Sequence, residues 1–500
     1  MSAVSQTGFL VTLYSAANQE KPEKASSQLH AQEVCIGLVN DEGSRLPTIS
    51  PAGAHPSQAL RRVGPARPVT RKIVNGRSND EDTVARGSFR LLLVTVYLLF
   101  LPAQVAVNIG GAWVFPYRIV LAVGAIWLIV NASRTRIQFG MVEGLMLAAC
   151  LWPFIAVSAV AGPARAFTTE SSILLDVGAS YYLARYAFRD FNDVRRLLVL
   201  IAPGYFFFAV LLLAETATGH YILQPLAEKM FPSSRNYVVD DPLSMMRFGL
   251  LRGSGPWPHP ILAGMHLASL LPFFVLTRLR GWPKWLGLTS SILAVCTLSS
   301  AALLALAAQC AFIVFDYLTR TVEKVSWKMG IIVAGVFLGA LQLLSTRGAL
   351  GFLMQFGALN TSSASYREVI WRYGTASVAN HPFFGVAFGE WERLWWMPST
   401  IDNYWLNLSM QLGIPMTVFM LSVSVMIVAM LARRVGSATG SQRAICLACA
   451  ISLSIYILGA FSVSLWGQAQ VWFSILLGIG ASLAQVGVAS GSRGRSARLA

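Results

Sequence analysis

The stretch 284–317, KWLGLTSSILAVCTLSSAALLALAAQCAFIVFDY, decides the fold of this chain. Read as one helix it overshoots the ~30 Å apolar core of a bilayer, which about 20 helical residues already cross. Read as two short spans folded at TLSSA (297–301), it returns the chain to the side it came from. Only the second reading agrees with the basic residues elsewhere. These cluster at Arg134/Arg136, Arg185/Arg189/Arg195/Arg196, Arg278/Arg280/Lys284, Arg320/Lys324/Lys328, Arg433/Arg434/Arg443 and Arg493/Arg495/Arg498. Short connections around 109–112, 298–300 and 464–466 carry no charge, and 162–170 carries Arg165 as its one base. Cytoplasmic loops are the ones enriched in Lys and Arg. The alternation therefore predicts an all-α, polytopic membrane protein of about twelve spans, with both termini cytoplasmic. The spans read as 89–108, 113–131, 139–161, 171–188, 196–214, 259–277, 284–298, 300–317, 329–345, 403–431, 443–463 and 466–487.

Composition agrees. Of 500 residues 55% are hydrophobic and 12% charged, with a mean hydropathy of +0.57, whereas a soluble domain carries roughly a quarter charged residues. The net charge of +16 does not mark a nucleic-acid binder, because the bases punctuate apolar spans and no RNP motif, zinc-finger spacing or basic reading helix is present. The six cysteines suit helix contacts, and Cys446-x-x-Cys449 lies inside an apolar span without a second pair. Residues 1–88 are rich in Ser, Pro, Gly, Arg and Asp without periodicity, which predicts a disordered cytoplasmic tail. GFLVTLY near the start lacks a basic flank and is a poor signal peptide. Residues 488–500 read as a basic cytoplasmic tail.

Two long loops, 215–258 and 346–402, fall on the outer side and hold most of the remaining ionisable groups. In RFGLLRGSGPWPHPILAG (247–264), Arg247 and Arg252 precede a Gly/Pro-rich turn into a helix. Such arginines suit a phosphate or diphosphate, or snorkel to lipid headgroups. His259, between two prolines, either caps the turn or meets substrate. In the second loop, 363–379 reads as an amphipathic helix with Tyr366, Ile370 and Tyr373 on one face and Arg367 and Trp371 on another; Arg372 lies within it and His381 just after it. Trp391, Trp395 and Trp396 offer rings either to an interfacial belt or to sugars. Glu390 and Glu392 flank Trp391. Asp402 and Asn403 open the next span, where Asn403 fits a helix N-cap and Asp402 is favoured by the helix dipole.

The order of these pieces resembles the O-antigen ligase and polymerase superfamily of bacterial envelope glycan assembly. The matching stretches are RGSGPWPHPILAG (252–264), TLSSAALLAL (297–306), SYREVIWRYG (365–374), NHPFFGVAFG (380–389) and DNYWLNLSMQLGIP (402–415), within residues 89–487. The ligase branch ends its large periplasmic loop with His, then Asn, Ser or Gln, then nine residues and Gly. Asn403 and Gly413 keep that spacing, but Asp402 stands at the His position, which looks more like the polymerases, including those of exopolysaccharides.

The resemblance implies a GT-C-like fold in the bacterial inner membrane and glycosyl transfer from a polyprenyl-diphosphate-linked glycan to a second lipid-linked glycan. Arg252 and Arg367 match the loop arginines that hold the donor diphosphate, with Arg247 beside them. Asp402, or failing it Glu390, is the expected proton acceptor. Tyr366, Trp371, Arg372, His381, Trp395, His259 and Asn403 are the expected substrate contacts. A chain-length regulator and a flippase are the expected partners. With no D-x-D pair or His/Cys cluster in the outer loops, neither metal nor cofactor is expected. Transfer to lipid A core or protein is the alternative within this class. Transport of lipid-linked sugar is the alternative outside it, though the spans hold few charges beyond Glu143 and Asp176 and no internal repeat.

Overall fold

The computed structural model describes residues 75–109, 112–134, 139–232, 242–345, 348 and 361–486. The expected tail up to residue 74, the basic segment from 487, and Arg235, Asp240, Asp241 and Arg347 of the long loops lie outside them. The stretch that decides the fold does turn back. Helix Trp282–Ile292 runs into the 3-10 turn Leu293–Thr297, and helix Ser300–Thr321 starts afresh after Leu298 and Ser299. Leu298 takes a left-handed backbone, φ +46°, a conformation that costs a non-glycine residue about 1–3 kcal/mol and persists only where its surroundings enforce it. Thr297 Oγ1 donates to Ala294 O at 2.8 Å and Leu298 N to Val295 O at 2.9 Å, so the chain is tied to itself before it reverses.

Around this turn the described residues form an α-helical bundle with two small antiparallel hairpins, Val107–Ile109 with Ala112–Val114 and Met246–Arg247 with Leu250–Leu251. Six described helices are long and apolar enough to cross a membrane: Met141–Ala161, Phe191–Thr218, Ser300–Thr321, Trp327–Leu344, Ile414–Ser437 and Gly440–Gly459. Trp327–Leu344 buries none of its residues, which an apolar helix tolerates against lipid and not against water. Other spans are shorter or interrupted. Pro260–Ala268 and Leu271–Leu276 divide one, and a π-helical segment Leu174–Ala179 joins Pro163–Ile173 to Ser180–Ala187.

Three expectations are corrected. The first helix covers Asn75–Leu98, so 75–88 is helical rather than tail, and the chain leaves the helix before 108. Arg185, counted above among loop cations, is buried against Glu143 at 3.1 Å, just as Asp176 is buried against Arg118 at 2.6 Å. Charges taken into an apolar bundle must be paired; these two pairs account for Glu143 and Asp176, and Asp316, buried near the end of Ser300–Thr321, is paired with Arg443 at 2.6 Å.

The third correction concerns 403–431, which is not one helix. It breaks into Tyr404–Leu412 and Ile414–Ser437 at Gly413, φ +82°. A helix end leaves four carbonyls without helical partners. Here Ser409 O accepts from Gly413 N at 3.0 Å, Met410 O from Val386 N at 2.8 Å and Gln411 O from Ala387 N at 3.0 Å. Leu412 O accepts from Trp152 Nε1 at 2.8 Å. The turn 382–388 thus lies over the helix end, and Ile414 N closes the arrangement by donating to Pro382 O at 2.8 Å. A Cβ at position 413 would come within 1.9 Å of Phe383 O. Gly413→Ala is therefore expected to cost about 2–3 kcal/mol, read as a fall of several degrees in the thermal midpoint of the purified protein; a midpoint equal to the parent's would refute the clash.

Candidate functional site

The site begins at the hairpin Met246–Leu251. Its two-residue turn, Phe248–Gly249, has positive φ at both positions (56° and 76°), the requirement of the tight turn that matches strand twist. The hairpin sets Arg247 and Arg252 against the reversal at 297–298. Arg247 Nη1 donates to Leu298 O at 2.7 Å and Arg252 Nε to Thr297 O at 3.3 Å. Each guanidinium carries five N–H donors, so these contacts orient both arginines and leave donors for a ligand.

Behind Arg252 stands Glu215, fully buried near the end of Phe191–Thr218. Its Oε2 accepts from Ser254 N at 3.0 Å and Gly255 N at 2.8 Å, and its Oε1 from Ile222 N at 3.1 Å. A carboxylate that gathers three backbone N–H groups satisfies donors that a Gly/Pro-rich turn cannot satisfy itself. Gln224 Nε2 adds donations to Ser254 Oγ at 2.9 Å and Trp257 O at 2.8 Å. His259 caps the helix that follows, with Nδ1 accepting from Ile261 N at 3.2 Å. Burial, and then the charge of Arg252, push its pKa down to about 4. The imidazole is therefore neutral near pH 7.

The other wall is the helix Thr361–Asn380, fastened to Tyr404–Leu412 by a small separate core. Ile370, Trp391, Met397, Ile401, Leu406 and Met410 are buried together, with Tyr366 and Tyr373 packed on them. Tyr366, Ile370 and Tyr373 pack on this core as expected, but the second face is not separate from it: Trp371 packs there too, and Ile370 lines a crevice together with Arg367, Trp371, Asp402, Asn403, Leu406 and Phe461. Asn403 is the N-cap, its Oδ1 accepting from Leu406 N at 3.0 Å. That bond turns Nδ2 away from the helix, where it is buried without a partner, as is Nε of Arg367. A buried donor left unpaired costs about 1–3 kcal/mol. Both belong to residues that line the crevice.

Arg252 is pushed down to about 10, first by burial and then by the like charges of Arg247 and Arg367. Arg367 is lowered by burial and by Arg247, against the opposing pull of Asp402. Three guanidinium groups thus feel one another, with Asp402 opposing the charge of Arg367, and clustered positive charge of this kind suits a multiply charged anion. Asp402 is exposed to solvent at its surface but crowded by protein beneath. The crowding raises its carboxyl, and Arg367 partly offsets the rise.

Not every expected residue is here. Glu390 faces solvent with its side chain 82% exposed, paired to Arg393 at 2.7 Å. His381 lies 3.9 Å from Glu392, whose carboxyl is held below its ordinary value first by Asn380, donating at 2.9 Å. Arg372 is exposed, and Trp395 is 92% exposed. Trp391, expected at an interface or on a sugar, belongs to the small core. Sequence reasoning missed Glu215. Its signal was an acid near the end of an otherwise apolar run that feeds a long loop.

Residues 285–422 match the family model described as O-antigen ligase, which supports the O-antigen ligase and polymerase superfamily. The match spans the helical reversal, Arg367, Asp402, Asn403 and Gly413, and stops short of the hairpin that carries Arg247 and Arg252. No curated protein matches the chain. Glu215→Gln keeps one acceptor oxygen and turns an N–H₂ toward backbone donors. It is expected to cost about 1–3 kcal/mol, seen as a lower thermal midpoint; an unchanged melt would remove Glu215 as the anchor of the turn.

Proposed function

We propose that the chain is an inner-membrane glycosyltransferase that polymerises polyprenyl-diphosphate-linked oligosaccharide repeat units at the periplasmic face, for exopolysaccharide, O-antigen or capsule. Its match to the O-antigen ligase family supports the class of enzyme. The observation that carries the reading is the crevice where Arg367, Asp402 and Asn403 meet, within electrostatic reach of Arg247 and Arg252. The orientation, with both termini cytoplasmic and this site outside, rests on the distribution of basic loops.

The chemistry follows from the charges. As the bond from C1 of the donor sugar to the diphosphate oxygen breaks, negative charge grows on the leaving group. Arg247, Arg252 and Arg367 stabilise it where it develops, in a partly desolvated setting that strengthens each interaction. The acceptor hydroxyl forms the new bond to C1 and gives its proton to Asp402, whose raised carboxyl makes it a better base than an ordinary aspartate. Released polyprenyl diphosphate then leaves with its charge, and the proton passes from Asp402 to water.

Ligation of finished glycan to lipid A core or to protein is the second reading, favoured by the description of the matched family. Asp402 at the family's His position argues against it. A deletion strain separates the two: single repeat units accumulate if the chain is a polymerase, and full-length unattached chains if it is a ligase. Arg252→Ala and Arg367→Ala are expected to abolish chain growth while the protein stays in the membrane at parental level; loss of the protein itself would assign both arginines to folding. Asp402→Asn is expected to slow turnover by about 10²–10⁴-fold. In the parent, the acid limb of the pH–rate profile should have a midpoint above the ordinary aspartate value of about 3.9, because deprotonated Asp402 is the active form and its pKa is raised. Near-parental turnover in Asp402→Asn would overturn the base assignment.

A further inference from the structure

The helix Tyr404–Leu412 borders a second open space. Asn403 and Leu406 face the arginine crevice, whereas Tyr404, Asn407, Leu408 and Gln411 line a separate cavity of about 720 Å³. The spacing 404, 407, 408, 411 is that of one helix face, so the same helix forms a wall of both spaces. An α-helix with its side chains is about 10–12 Å across, and a molecule in the cavity lies within that distance of one in the crevice.

Two features of the cavity lining indicate what it takes. Its polar groups are mainly uncharged: Asn407, Gln411 and Gln470 carry amides, and Thr168, Thr169, Ser171 and Ser172 carry hydroxyls. The one ion pair, Arg118 with Asp176, is internally matched, since Asp176 accepts from Arg118 Nε at 2.9 Å and Nη2 at 2.6 Å while Nη1 donates to Trp113 O at 2.7 Å. Asp176 lies in the π-helical segment Leu174–Ala179, a local widening often found where a helix serves a site. Trp113, Phe115, Trp466 and Phe388 add aromatic rings. The four hydroxyls already donate to carbonyls of their own helix, those of Arg165, Phe167 and Thr169, so the polar groups left to a ligand are the amides, which an acyl chain would leave unmatched. A second diphosphate would find the only cation already neutralised. Sugar hydroxyls match the amides, and sugar faces match the rings.

We infer that this cavity is a carbohydrate subsite, which holds uncharged sugar residues of the glycan while the arginine crevice holds the diphosphate. The inference rests on the glycan-transfer reading above and adds where the sugars lie and which residues choose them. Asn407 and Gln470 are the selecting side chains, because Gln411 Oε1 is already engaged by Phe388 N at 2.7 Å. Volume is consistent, as small-molecule sites run roughly 300–1,000 Å³.

The test uses the full chain in lipid nanodiscs, free of sugar-based detergent. Two probes are applied: inorganic diphosphate, by calorimetry, and a panel of neutral methyl glycosides, by saturation-transfer NMR. At least one glycoside is expected to bind, with its signal reduced about tenfold in Asn407→Ala and in Gln470→Ala and unchanged in Arg252→Ala. Diphosphate binding is expected to show the reverse pattern, which also certifies that the amide variants fold. Diphosphate binding with no glycoside signal, or a glycoside signal indifferent to Asn407 and Gln470, overturns the subsite and leaves the transfer reading standing. Loss of diphosphate binding in the parent would instead count against the transfer reading. Displacement of the glycoside by dodecanol at the same variants' expense would assign the cavity to an acyl chain and overturn the inference.

Discussion

The guanidinium groups of Arg247, Arg252 and Arg367 lie within electrostatic reach of one another and repel, and the structure around them is arranged to bear that repulsion. Part of the relief is local. Arg247 and Arg252 donate to Leu298 O and Thr297 O, carbonyls at the end of a helical turn, where the negative end of the helix dipole favours cations. Those carbonyls are available because the chain reverses at 297–299 instead of continuing as one long helix. The reversal puts Leu298 in a left-handed conformation, and the arginines that bond the turn help to hold it there. The strain and the charge excess therefore support each other. An anion arriving in the crevice would relieve the repulsion and leave the turn intact.

The second constraint is the need to pair backbone groups in an apolar setting. A helix ending inside a membrane protein leaves carbonyls that water does not reach. At Leu412 all four are matched, three by backbone N–H groups and one by Trp152 Nε1. Matching them brings the turn 382–388 down onto the helix end, which fixes the far end of the loop helix Thr361–Asn380. Its middle is fixed by the small core of Ile370, Trp391, Leu406 and Met410. Arg367 meets Asp402 at the crevice from a helix held at both these places. Precision in the crevice is thus a product of backbone accounting some distance from it.

Much of this was legible in the sequence, for definable reasons. The reversal at TLSSA followed from a length that no single span needs and from the charges on either side. Tyr366, Ile370 and Tyr373 were assigned to one packing face because helical periodicity survives when a helix packs on a single neighbour; Trp371, assigned to another, packs on the same core. The break at Gly413 was not legible as a break. The hydrophobic run continues through it, and only the approach of Phe383 O, contributed by a distant loop, explains why a residue without Cβ is needed. Glu390 was ranked by type and by its place in the loop, but Arg393 holds it toward solvent. Glu215 went unread because its partners are backbone N–H groups, which a sequence does not display.

In the proposed reaction the pair Asp402–Asn403 sets a structural role beside a chemical one. Asn403 caps its helix with Oδ1, which leaves Nδ2 buried without a partner in a residue that lines the crevice. Tyr404 N is drawn the other way, donating to Ala460 O at 2.9 Å, so the first turn of the helix is fixed from both sides. Asp402, one residue outside the cap, is left at the crevice edge facing Arg367 rather than inside the helix. Moving the carboxylate one residue later would put it in the capping position, where the backbone N–H would occupy an oxygen and lower its basicity. Under the proposed transfer reaction a base is wanted just before the cap and not at it, and the order Asp then Asn meets that requirement.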